Sequence, residues 1–189
     1  WRRSTSRSTA IARSCTLGCV GSPSWLQRAS CSIWAGGLAR TRPTLRGLGL
    51  DVVSIDRSRQ MLAVARQEFP GPRVQADLRC LPFRAQSVAG AWACASLLHL
   101  DREDAAPALR GIAELIVESG ALFVSLKAGD GGKWDTTSYG PESPRWYTYW
   151  AASDVDAPRA GAGFEIVESA TQPGSKDDWH FRIARRSKE

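Results

Sequence analysis

Leu50-Asp51-Val52-Val53-Ser54-Ile55-Asp56-Arg57-Ser58 is the stretch on which the fold turns. A short β-branched run stops abruptly at an acid, and a serine able to cap a helix follows. Met61, Leu62, Ala65 and Phe69 then recur at helical spacing until Pro70-Gly71-Pro72 ends the helix. Strand, acid, cap and amphipathic helix in that order read as one βα unit of a layered α/β domain.

The same grammar continues downstream. Val74-Gln75-Ala76 is a short strand ending at Asp77. Val88 to Ala95 is a nearly continuous apolar run, as expected of a strand covered on both faces. Asp101 is placed to cap a helix whose buried stripe is Ala105, Leu109, Ile112 and Ile116. Gly120 closes the connection, and Ala121 to Leu126 is the next buried strand. Lys127 to Trp150 reads as a long polar and aromatic loop. Ser153 and Asp154 open another helix, which Gly161 and Gly163 close. Phe164 to Glu168 and Trp179 to Ala184 are two last strands, and the turn-rich Pro173-Gly174-Ser175 between them suits an antiparallel pair. The expected fold is α/β and Rossmann-like: a mostly parallel sheet, helices on both faces, and an antiparallel C-terminal strand pair.

In such a sheet the ligand lies beyond the carboxyl ends of the strands, at the switch in strand order. Asp56 stands there, and its carboxylate can accept hydrogen bonds from the two hydroxyls of a ribose. A solvated loop acid at a helix N-terminus is the other reading of the same residue. Asp77 ends the next strand, where a carboxylate can accept an exocyclic amine of adenine while the Leu78 amide reaches the ring. Two acids closing two successive strands strengthen each other.

These segments together resemble the class I S-adenosylmethionine (SAM)-dependent methyltransferases. Leu50 to Ser58 running into Met61-Leu62 looks like the family's second motif. Asp77-Leu78 followed by Leu81-Pro82-Phe83 is similar to its adenine-side loop, and Ser87 to Leu100 to its fourth strand and the loop beyond. Ser119 to Ser125 resembles the fifth strand with its preceding turn, and Ala162-Gly163-Phe164-Glu165 the start of the sixth. The resemblance implies SAM as cofactor, with Asp56 on the ribose, Asp77 and Leu78 at the adenine, and Ala93 to Leu97 bordering the methionine half and the methyl acceptor. It implies that the protein mainly aligns a nucleophile with an already activated methyl group. His99 would be an acceptor contact or base, or a structural histidine at a strand-to-helix corner. Trp134, Tyr139, Trp146, Tyr147, Tyr149 and Trp150 would lie on the acceptor side, clamping a substrate or packing the loop with their own rings.

One part of the family pattern is missing. Counting back from Asp56 puts the glycine loop at Ala35-Gly36-Gly37-Leu38-Ala39, where Gly37 alone falls on a glycine position and Ile33 replaces the expected strand acid. The preceding strand would be Cys31 to Trp34. Residues 31–39 can be encoded as TGC TCG ATC TGG GCN GGN GGN CTN GCN. Read one nucleotide earlier, with permitted free bases, this spells Val-Leu-Asp-Leu-Gly-Gly-Gly-Pro-Gly, the missing motif in the required register. Composition breaks at the same place. Residues 1–50 hold eight Arg and no Lys, Asp or Glu, leaving 25 − 8 = 17 basic and 19 acidic residues in the rest. The expected organisation is therefore an atypical basic segment, 1–47, disordered or frame-shifted, and a methyltransferase-like domain, 48–189.

Other signals are weak. The five cysteines (Cys15, Cys19, Cys31, Cys80 and Cys94) form no disulfide framework or zinc pattern, so no metal is expected. No apolar run reaches the roughly 20 residues of a membrane helix, and a cytoplasmic location with no membrane partner is expected. The expected function is methyl transfer to an unidentified acceptor, a small molecule before a nucleic acid, with cofactor binding impaired by the lost glycines. The alternatives are a noncatalytic methyltransferase-fold remnant or nucleic-acid-interacting module using the basic arm, and, further off, a nucleotide-dependent oxidoreductase.

Overall fold

The computed structural model describes residues 32–35, 42–47, 49–68, 70–138, 140–160 and 163–187. The elements in chain order are β1 (Ser32–Ala35), α1 (Arg42–Gly47), β2 (Val52–Asp56), α2 (Arg59–Glu68), β3 (Arg73–Gln75), β4 (Val88–Cys94), a 3-10 turn (Leu97–His99), α3 (Arg102–Leu115), β5 (Ile116–Ala128), β6 (Gly132–Asp135), β7 (Arg145–Trp150), α4 (Ala152–Ala160), β8 (Phe164–Gln172) and β9 (Trp179–Arg186). The strands form one sheet in the order β3-β2-β1-β4-β5-β7-β6, with β9 on β5 and β8 on β9. β1 to β5 run parallel, and β8 and β9 form the expected antiparallel pair.

β1 is the centre of this arrangement. It pairs with β2 in the register Ser32↔Val52 and with β4 in the register Ser32↔Gly90. The count back from Asp56 thus locates the strand to within one residue, and two regular elements fall inside the basic 1–47 segment. Gly37 and the rest of 36–41 lie outside the described residues, as does the arm before Ser32.

Two apolar clusters cover the two faces of the sheet. On one, Leu109 and Ile112 of α3 and Val155 of α4 pack with Leu122, Val124 and Leu126 of β5. On the other, Leu45 of α1 packs with Val52, Trp92, Phe123 and Ile183. The rings of Trp92 and Phe123 stack there at 3.8 Å and 15°. The continuous apolar text of β4 and β5 follows from this double covering, since both faces of each strand need a hydrophobic neighbour.

Several local expectations change in detail. Ser58 caps α2 as expected, its hydroxyl accepting the Met61 N–H at 3.2 Å. Asp101 occupies the cap position of α3 but makes no side-chain cap bond. Its carbonyl instead accepts the Asp104 and Ala105 amides. Gly120 does not close a loop. β5 begins directly after α3, and the residues before Ala121 form an irregularity against β4 between Val88 and Gly90. Gly120 is needed for close approach: a Cβ there would sit 2.7 Å from the Ala89 carbonyl oxygen.

The largest departure is the stretch 127–150. It holds an antiparallel hairpin, β6 and β7, where the sequence reads as a loop. β7 also runs parallel to the end of β5, with Lys127↔Tyr149 and Ala128↔Trp150. Lys127 pairs with Trp179 of β9 as well. One edge of β5 is therefore taken by β9, and β7 occupies the edge that β4 leaves after Cys94. The hairpin is thereby laid across the carboxyl end of β4.

Candidate functional site

The strand order reverses at β1: the chain moves outward to β2 and β3, then returns to place β4 on the other side. The carboxyl ends of β1, β2 and β4 therefore flank a switch point, where such sheets open a crevice. Asp56 closes β2 beside it. Its Oδ1 accepts the Ser58 amide at 2.7 Å, which fixes the carboxylate against the first turn of α2. Burial raises the pKa of this carboxyl, opposed by the Ser58 amide and by the charges of Arg145 and His99. Among the described residues Oδ1 is held by the Ser58 amide and none is seen to bond Oδ2.

Asp77 is more occupied than the sequence suggests. Its Oδ1 accepts the Arg79 amide and Nε at 3.0 Å, and its Oδ2 accepts Arg79 Nη2 at 2.8 Å. Arg79 also reaches Asp104 on α3 at 2.9 Å, which ties the adenine-side loop to that helix. The Arg79 hydrogen bond holds the Asp77 carboxyl down at about 2. With about four acceptor positions on a carboxylate, Oδ2 keeps room for an amine. Arg79→Ala is expected to return Asp77 to the ordinary carboxylate range near about 4. A carbon-detected NMR titration of the side-chain carboxyl reads this directly, and an unmoved Asp77 would contradict the assigned pairing. Leu78 packs, partly buried, against the main core beside it.

Ala93 is buried at 1% exposure and pairs with Ala35 of β1. Its side chain belongs to the core, so only its backbone can face a ligand. The chain leaves β4 through Ala95, a non-glycine residue at φ 50°. Such a conformation costs about 1 kcal/mol or more and persists only when neighbours enforce it. Ser125 on β5 supplies that constraint, its hydroxyl accepting the Ala95 amide at 2.9 Å.

His99 ends the 3-10 turn that follows. Its Nδ1 lies 2.9 Å from the Trp146 carbonyl oxygen on β7, and its ring tilts against Tyr147 at 4.9 Å. Thr148 donates to the Leu100 carbonyl at 2.8 Å, a second tie between hairpin and turn. Tyr147, Tyr149 and Trp150 are buried in the main core, which accounts for them as packing. Trp134 is 64% exposed, edge-on to Trp146 at 5.7 Å. Tyr139 lies outside the described residues.

Lys127, Arg145 and Asp177 are site neighbours that sequence reasoning passes over. Lys127 is 7% exposed, bonds Asp177 at 2.7 Å and lies 3.8 Å over the Tyr147 ring. A lysine closing the apolar run of β5 is the signal that could have found it. Among the described residues no group of three or more His, Cys, Asp or Glu is placed to hold a metal ion. None of the described helices is long and apolar enough to cross a membrane.

Known proteins show the same architecture. A SAM-dependent methyltransferase from Methanosarcina mazei superposes with a TM-score of 0.76 at 15% identity, covering 87% of this chain and 96% of that one. The 1,6-didemethyltoxoflavin-N1-methyltransferase of Burkholderia thailandensis, solved with 1,6-didemethyltoxoflavin and S-adenosylhomocysteine, gives 0.70 at 20% identity over 95% and 76% of the two chains. The [4+2]-cyclase SpnF gives 0.75 at 17% identity over 100% and 84%. No curated protein sequence matches. The fold is that of the class I SAM-dependent methyltransferases. Residues 35–124 match the family model described as the methyltransferase domain.

Proposed function

We propose that this protein binds SAM at the β1/β4 switch point and transfers its methyl group to a small-molecule acceptor. The observation that carries the reading is the pair Asp56 and Asp77, set at the ends of adjacent strands β2 and β3 inside the family-matched segment. Asp56 would hold the ribose through Oδ2, and Asp77 with the Leu78 amide would meet the adenine. When bound, SAM supplies an activated methyl group. The chain's own part is to orient it, exclude water and receive the acceptor beneath the β6–β7 hairpin. A roof over the carboxyl end of β4 favours a compact acceptor over a polymer. A cytoplasmic setting suits that chemistry.

The methionine half is the weaker one. Gly37 is the one glycine on a family glycine position; Ala35 and Ala39 hold the others, where a glycine would let the backbone approach a ligand closely. We infer that cofactor affinity is reduced for this reason, and that residues 1 to about 46 are an out-of-frame reading of the natural N-terminal portion. A noncatalytic role of the same fold is the second reading, favoured by the same missing glycines.

Melting the full chain with S-adenosylhomocysteine (SAH) and separately with NAD tests the assignment. At a hundredfold excess over Kd, a specific ligand adds about 2.7 kcal/mol, a rise of about 5–10 °C for a domain of this size. The expected result is a saturable rise with SAH, none with NAD, and a larger rise when 31–39 is rebuilt as Val-Leu-Asp-Leu-Gly-Gly-Gly-Pro-Gly. A rise with NAD alone would favour an oxidoreductase.

A further inference from the structure

We propose that Arg145 is a specificity-determining residue, and that the acceptor carries an oxyanion, a carboxylate or a phosphate, which its guanidinium receives beneath the hairpin. This rests on the methyltransferase reading above. The placement of Arg145 carries it. Arg145 opens β7, and successive side chains of a strand point to opposite faces. Arg145, Tyr147 and Tyr149 therefore share one face. On that face the Tyr147 ring lies 4.9 Å from the His99 ring, and Tyr149 stands in register with Lys127 at the end of β5. The face thus looks onto the carboxyl ends of β4 and β5, where an acceptor would meet the methyl group. Trp146, the next residue, anchors the start of β7 there through its carbonyl on His99. The charge of Arg145 acts on Asp56 and His99 alike, which agrees with a guanidinium reaching the crevice between them.

The neighbouring groups decide the sign of the ligand. The aromatic faces that could clamp a cation are already taken. Lys127 Nζ lies 3.8 Å over the Tyr147 ring, and Lys133 Nζ lies 4.9 Å over that of Tyr149. Asp177 balances Lys127 at 2.7 Å, so that ammonium serves the fold. Arg145 is half-buried at the edge of the hairpin and is the cation that β7 presents to the crevice. A guanidinium has five N–H donors in a planar fork, so it can keep a protein neighbour and still grip an oxyanion through two parallel bonds. Partial burial strengthens that pairing over one in open water. A cationic acceptor would meet like charge there.

Ligand-observed NMR on the full chain loaded with SAH tests this, with benzoate, phenyl phosphate and neutral benzamide as probes. At least one anion should bind saturably and benzamide should not. The tighter of the two anions identifies the oxyanion as carboxylate or phosphate. Arg145→Gln should weaken that anion about 10-fold to 100-fold. Arg145→Lys should weaken it by less, because an ammonium keeps the charge and loses the fork. Both variants should melt like the parent and bind SAH as it does in calorimetry. Benzamide bound as tightly as the anions, anions indifferent to Arg145→Gln, or no anion bound at all would overturn the inference, while SAH binding would keep the methyltransferase reading. SAH weakened in Arg145→Gln with the anions unaffected would give the arginine to the cofactor and overturn it equally. Absence of SAH binding in the parent would remove that reading and, with it, the acceptor role of Arg145.

Discussion

Lys127→Ala should destabilise the protein by about 3 kcal/mol, lowering its melting temperature by about 6–12 °C. Lys127 bonds Asp177 and lies over Tyr147, and the side chains of the pair are 9% and 18% exposed. Removing the ammonium leaves a carboxylate largely cut off from water, with only the Tyr149 hydroxyl at 3.1 Å. An uncompensated charge of this kind, more than the lost contact, sets the size of the effect. The pH dependence has a definite sign. Burial pushes the Asp177 carboxyl up, but the Lys127 and Tyr149 hydrogen bonds outweigh it, and the net shift is downward. A carboxyl lower in the folded than in the unfolded state stabilises above its unfolded value and loses that contribution as pH falls through its folded value. The gap between parent and variant should therefore be full at pH 7 and shrink below about pH 4. Lys127→Met combined with Asp177→Leu should recover much of the loss. Denaturant unfolding of the three chains measures all of this. A single variant as stable as the parent would show that the pair has no structural weight.

Asp56→Ala is expected to weaken SAH binding by about 30-fold to 1000-fold, from two hydrogen bonds to a charged acceptor at about 1–2 kcal/mol each. The alanine also frees the Ser58 amide at the start of α2. Asp56→Asn separates the two effects, because an amide oxygen can still receive that N–H. The asparagine variant should fold like the parent and lose affinity by less than the alanine variant. Equal affinity in parent and alanine variants, each measured by calorimetry, would place the ribose elsewhere.

The sheet was legible because its strands are short, apolar and punctuated. Val52–Asp56 and Val88–Cys94 are each bounded by turn residues or an acid, and each followed by helical periodicity. The acids at strand ends were legible for the same reason, since position in the βα grammar implies position on the sheet edge. The β6–β7 hairpin was not. In Arg145–Trp150 the last four residues are all buried, so no alternation marks a strand, and its neighbours Gly140, Pro141 and Pro144 read as loop. The partners that shape the site were hidden by distance along the chain. Ser125 holds Ala95 from 30 residues away, and Asp177 holds Lys127 from 50. Asp77 shows the limit most clearly: its place at the end of β3 could be read, but not that Arg79 occupies most of its oxygens.

Calorimetric titration of the full chain with SAH decides whether the switch point holds a cofactor site. One saturable site is expected, weakened by the missing glycines, and tightened when residues 31–39 carry Val-Leu-Asp-Leu-Gly-Gly-Gly-Pro-Gly. A cooperatively folded protein that takes up no SAH in either form would contradict it, leaving a methyltransferase fold without a cofactor site.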